Sequence, residues 1–151
     1  MAKQIENAVL TIRSLLEFEQ DKPEWSELNT KAYYRVRNGC ARIRYEDLDD
    51  TGEVIGITKI TVTRLDQEMP MVTVQKEGFS DALLIFEAGK SHPISYQTML
   101  GTFEMQLHAV EVRAECTPKE CTITLRYSMN LGDSANNINT VIMHVTMQAP
   151  A

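Results

Sequence analysis

Residues 32–45 read Ala32-Tyr33-Tyr34-Arg35-Val36-Arg37-Asn38-Gly39-Cys40-Ala41-Arg42-Ile43-Arg44-Tyr45. Two alternating runs meet at Asn38-Gly39, a dipeptide suited to a type I′ turn because that turn needs positive φ at both positions. A two-residue loop pairs Arg37 with Cys40, which sets Arg35 against Arg42 and Tyr33 against Arg44. Residues directly opposite share a face. One face is therefore Ala32, Tyr34, Val36, Ala41, Ile43 and Tyr45; the other is Tyr33, Arg35, Arg37, Arg42 and Arg44. The pattern predicts a half-buried antiparallel hairpin with its tyrosines 34 and 45 inward and its arginines outward.

The same period of two recurs outward from this hairpin, at 7–16, 53–65, 70–77, 82–88, 93–98, 103–107, 122–129 and 141–147. A second hairpin turns at Thr117-Pro118-Lys119-Glu120 and pairs Cys116 with Cys121. That register sets Ala114 against Ile123, Val112 against Leu125 and Val110 against Tyr127, with Glu111 and Arg126 opposed outside. The apolar phase slips within one strand: Phe103, Met105, Leu107 and Ala109 are odd-numbered, Val110, Val112 and Ala114 even. One extra residue near 108–110, a β-bulge, reconciles the two halves. A turn near Asp66-Gln67-Glu68 leaves two registers open. Longer loops are expected at 21–24 and 132–137. Eight to ten antiparallel strands joined by short turns curl and close, so the expectation is an all-β, up-and-down barrel forming one domain over residues 1–151.

Composition agrees with a globular domain. The 151 residues are 43% hydrophobic and 24% charged, long enough to bury a core without metal or disulfide staples. A net charge of −6 argues against a protein that coats nucleic acid, and no apolar stretch reaches the length of a membrane span. Glu6 and Arg13 interrupt any export-signal pattern, and three cysteines fit a reducing compartment, so a cytoplasmic location is expected. Cys116 and Cys121 read as reduced thiols on facing strands.

Candidate sites are few. Asp47, Asp49 and Gly52 fall at the first, third and sixth positions of a calcium loop, yet position twelve is Thr58, so the acidic stretch 46–53 reads as a solvated turn. His92, His108 and His144 have no ligand spacing, and no serine has a nucleophile-elbow context. No catalytic residue, metal or cofactor is assigned. Arg35 opposite Arg42 is a like-charge pair that suggests an anion site if left uncompensated. With acids in excess, neighbouring carboxylates are expected to neutralise it. Methionines 105, 129, 143 and 147 share the apolar phase of the last strands; with Tyr34, Tyr45, Phe103 and Tyr127, Met105 and Met129 are the candidate lining of a lumen.

Short pieces at consistent spacing point to a family. Arg44-Tyr45-Glu46-Asp47 with Thr51-Gly52-Glu53, Gly78, Leu83-Leu84-Ile85-Phe86-Glu87, Tyr96-Gln97-Thr98-Met99-Leu100-Gly101 and Leu125-Arg126-Tyr127-Ser128-Met129 resemble the YwiB-like bacterial proteins. The resemblance runs from about residue 7 to 147 and implies a calycin-like β-barrel of unknown function. It transfers no catalytic or binding residue, and Met99 stands where the family often has proline. The lipocalin Gly-x-Trp opening is missing, since Trp25 follows Pro23-Glu24. The resulting expectation is a non-enzymatic bacterial barrel holding a small apolar or amphipathic ligand in its lumen; the alternative is an interaction module with a filled core, acting as a homodimer.

Overall fold

A computed structural model describes residues 6–18, 25–78, 80–130 and 137–148. Its strands are β1 (Ala8–Phe18), β2 (Trp25–Arg37), β3 (Cys40–Leu48), β4 (Val54–Thr63) and β5 (Met71–Gly78), followed by β6 (Ala82–Phe86), β7 (Ser91–Thr98), β8 (Gly101–Cys116), β9 (Glu120–Asn130) and β10 (Asn137–Met147). Each ladder joins neighbours in sequence, and β1 pairs with β10, giving the order β6-β5-β4-β3-β2-β1-β10-β9-β8-β7. The edges of β6 and β7 meet at one bridge, where Asp81 and Gln97 exchange N–H···O bonds of 3.0 and 2.9 Å. The all-β meander closes into a nearly complete barrel of ten antiparallel strands.

The hairpin that decides the fold forms as its sequence requires. Asn38 and Gly39 take φ of 52° and 72°, and Arg35 pairs with Arg42. Tyr34 and Tyr45 are buried, and Arg35 and Arg42 are exposed. Between β4 and β5 the register resolves as Val62 opposite Val72, with Arg64 at positive φ. The loops expected at 21–24 and 132–137 lie outside the described residues, except that Asn137 opens β10.

Two expectations are corrected, and one cross-strand pair holds. Tyr127 pairs with Ala109 rather than Val110, because the bulge between Ala109 and Glu111 leaves Val110 unpaired and pointing out. The slip in phase was the right signal; the hairpin register simply cannot be carried through it. Glu111 does oppose Arg126, but its carboxylate contacts Arg113 on its own strand. Cys116 and Cys121, directly opposed, are joined as a disulfide rather than standing as free thiols.

Strand β2 divides its length between two neighbours. Residues 25–32 pair with β1, whereas residues 33–37 pair with β3. Below Tyr33 the β2 and β3 strands part, so the wall is split along half its height.

Candidate functional site

The barrel has two unlike ends. At the end that carries the Asn38-Gly39 turn, Leu10, Val62, Val72, Ile123 and Val145 are completely buried. Tyr34, 1% exposed, donates its hydroxyl to the carbonyl of Thr117 at 2.6 Å, with the carbonyl of Glu120 at 3.3 Å. Burial, helped by the Glu120 charge, pushes this phenol up to about 12. Tyr34 therefore belongs to a packed core, since a buried hydroxyl needs a partner and has one.

At the opposite end, beside the turn at 99–100, inward-phase residues are wet. Leu16, Leu28 and Phe103 sit on the inner face but are 44%, 48% and 42% exposed. Met105, Tyr127 and Met129 are half-buried there, Met129 opposite Leu107 and Tyr127 opposite Ala109. The Tyr127 ring meets Phe86 edge-on, centroids 4.9 Å apart and planes at 74°, which closes the middle of the barrel beneath them. Burial, then Tyr96, raises the Tyr127 phenol above its ordinary value. The structure thus makes Met105 and Met129 diagonal neighbours across the β8–β9 ladder, sets Tyr127 deeper, opposite Ala109 and six residues along β8 from Phe103, and separates Tyr34 from all of them.

A polar line crosses this end and was missed in the sequence. Asp47 shares the inward phase of Ala41, Ile43 and Tyr45, and Lys76 shares that of Val72 and Val74. Thr58, 1% exposed, donates to the Asp47 carboxylate at 2.8 Å and accepts from Lys76 Nζ at 3.4 Å. Burial raises the Tyr45 phenol, a hydrogen bond with Thr58 opposes that, and Asp47 adds to it. Continuing the alternation one step past the last apolar residue would have found both ionisable groups. The acidic stretch is accordingly divided: Asp47 turns in, while Asp49 caps its own turn. Asp49 accepts from the Thr51 hydroxyl at 2.6 Å, from the Thr51 amide at 2.9 Å and from the Glu53 amide at 3.0 Å. These bonds, that of the Thr51 hydroxyl foremost, hold its carboxyl below the usual range.

Two surface concavities lie on the strands of this end. One, of about 350 Å³, is lined mostly by the outward-phase Pro93, Ser95, Glu104 and Gln106, with Ile94, Met105 and Asn130 beside them. The other, of about 320 Å³, follows the β6–β7 seam past Lys76, Asp81, Ala82 and Gln97. Among the described residues no group of three or more His, Cys, Asp or Glu side chains converges as a metal site. His92 faces Glu87 at 3.0 Å, His108 faces Ser91 at 2.9 Å and His144 faces Thr122 at 2.9 Å, three separate places. No helix among the described residues is long and apolar enough to cross a membrane.

The outer face of β2–β3 departs from expectation. Arg35, Arg37, Arg42 and Arg44 have no ion pair among the described residues, so the neutralising carboxylates expected from neighbouring strands do not reach them. Elsewhere the acids are engaged; Glu87 alone serves Arg64, Lys90 and His92.

Residues 10–143 match the family model described as a domain of unknown function, DUF1934. The chain is 22% identical over 139 residues to the uncharacterized beta-barrel protein YwiB of Bacillus subtilis (strain 168), covering 92% of both chains. Its fold is similar to the crystal structure of ywiB protein from Bacillus subtilis, with a TM-score of 0.75 at 18% identity over 95% of this chain and 93% of that one.

Proposed function

This chain belongs to the DUF1934 family, and on that footing we propose that it is a non-enzymatic barrel that takes up a small amphipathic molecule at its 99–100 end. The observation that carries the reading is the exposure of inward-phase Leu16, Leu28 and Phe103 above half-buried Met105, Tyr127 and Met129. Apolar side chains left wet on the inner face favour a ligand that covers them, at roughly 25 cal/mol per Å² removed from water. Lys76, held toward Asp47 through Thr58, supplies a polar group for an anionic head. Tyr45 stands beside that polar line, whereas Tyr34 contributes to the packed end.

The test uses the neutral fluorescent probe N-phenyl-1-naphthylamine. Saturable one-to-one uptake is expected, weakened at least threefold by Met129→Ala and unchanged by Ile123→Ala at the packed end. Decanoate should displace the probe better than decanol, and Lys76→Met should erase that preference. A parent chain that takes up no probe ends the proposal.

The homodimer reading keeps one observation of its own: adjacent Met99 and Leu100 are 82% and 91% exposed at the β7–β8 turn. Native mass spectrometry showing a dimer that Leu100→Lys dissolves, with no probe uptake, would favour it.

A further inference from the structure

Half of the arginines in the chain, four of eight, stand on one outer hairpin face of a protein whose net charge is −6. Arg35 and Arg42 are directly opposed across the ladder, and Arg37 and Arg44 flank them. Like charges placed directly opposite on a sheet cost stability unless something neutralises them. None of the four has an ion pair among the described residues, although Arg13, Arg64 and Arg113 each have one. Asp66 packs against Gly39 at the tip of the turn. The face is also concave. A hollow of about 390 Å³ is lined by Tyr33, Arg35, Arg37, Asn38, Cys40 and Arg42.

From this convergence we infer that the outer face of the β2–β3 hairpin binds a phosphorylated small molecule carrying more than one phosphate. Guanidinium groups are planar, permanently charged forks that match phosphate oxygens in pairs. Three forks around one hollow, with Arg44 beside them on the same face, offer more donors than a single carboxylate can accept, and an oligophosphate supplies the acceptors. The volume suits a small ligand, within the range of ordinary ligand sites. Tyr33, opposite Arg44 in the same hollow, offers an aromatic surface to a planar base. The overall negative charge repels anions at long range, so recognition here depends on short-range forks rather than on the field of the whole protein. This site is separate from the inner face and independent of any ligand there.

Titration calorimetry on the full chain, with sodium triphosphate and with ATP in the absence of metal, tests the inference. Both should bind saturably, ATP more tightly. Arg35→Gln with Arg42→Gln should weaken both at least tenfold, and Arg113→Gln, at an arginine already paired with Glu111, less than twofold. Tyr33→Ala should remove the advantage of ATP over triphosphate. If the double variant does not fold by circular dichroism, Arg42→Lys replaces it; a loss of at least threefold with the charge retained is then expected. The inference is overturned if neither anion saturates, if the arginine variants bind as the parent does, or if Arg113→Gln loses as much as they do. A single-stranded DNA 12-mer that binds at least tenfold more tightly than ATP would also overturn it, by assigning the face to nucleic acid.

Discussion

The two ends of this barrel are built from the same alternation, yet one is dry and the other is wet. At the Asn38-Gly39 end, inward phase means burial: Ile123, Val145 and Leu10 are sealed. At the 99–100 end, Leu28 occupies the same phase and is nearly half exposed. The difference lies in pairing. Residues 25–32 of β2 have β1 on one side and no ladder to β3 on the other, so the wall that would cover them is divided. Phase decides which way a side chain points; neighbours decide whether water follows it.

The sharpest way to break this contrast is a matched pair of truncations. Ile123→Ala should cost about 4 kcal/mol by leaving a cavity that the packed end cannot collapse, and Met129→Ala only about 1 kcal/mol. Urea unfolding of both beside the parent measures it; equal losses would mean the ends are packed alike.

The wet end should nevertheless have one rigid point. A Cβ added at Gly78, where φ is 117°, would lie 2.6 Å from the Cα of Gly56, and one added at Gly56 would lie 2.6 Å from the Glu77 carbonyl oxygen. Gly78→Ala is expected to cost roughly 3 kcal/mol, through backbone clash and an unfavourable φ together. A thermal midpoint within two degrees of the parent, an interval of about 0.5–1 kcal/mol for a domain this size, would show that the β4–β5 contact yields.

Tyr34 gives the dry end a pH signature. Below pH 10 the phenol is protonated whether the chain is folded or not, so it adds no pH dependence. Between pH 10 and about 12 the unfolded state loses the proton and the folded state keeps it, so stability falls as pH rises. The full loss is on the order of 2 kcal/mol, and Tyr34→Phe should flatten that limb. Unfolding midpoints from pH 9 to 11.5 that run parallel for parent and variant would contradict the sealed environment of this ring.

The smallest effect concerns the outer wall. Arg42→Thr removes one of two opposed charges and should raise stability by roughly 0.2–1 kcal/mol at low salt, the gain fading as salt screens it. A loss instead would mean that the arginine stem packs against the sheet.

Much of this architecture was legible in local chemistry. Asn38-Gly39 gave the turn and both faces of its hairpin, and the slip of phase near Ala109 announced the bulge. Other features escaped for physical reasons. That β2 serves two partners is a matter of which strands stand beside it, and alternation along one strand does not record its neighbours. Asp47 reads with the solvated acidic turn because its charge outweighs its phase, and Lys76, on the inward phase of β5, carries no signal of its own. The arginines looked compensated because acids are abundant in the chain, but abundance says nothing about position.

The ladder between β1 and β10 has a consequence for how the chain acquires its shape. Every other ladder joins segments consecutive in sequence, so each can form as a local hairpin. The ladder from Ala8–Met147 to Phe18–Asn137 joins segments from opposite ends of the chain. Its loop-closure entropy is met only after the intervening strands have shortened the path. Folding should therefore proceed through an open, curled sheet whose terminal strands zip last, and the time that sheet spends with β1 and β10 unpaired is when the chain is most exposed to association with its own copies.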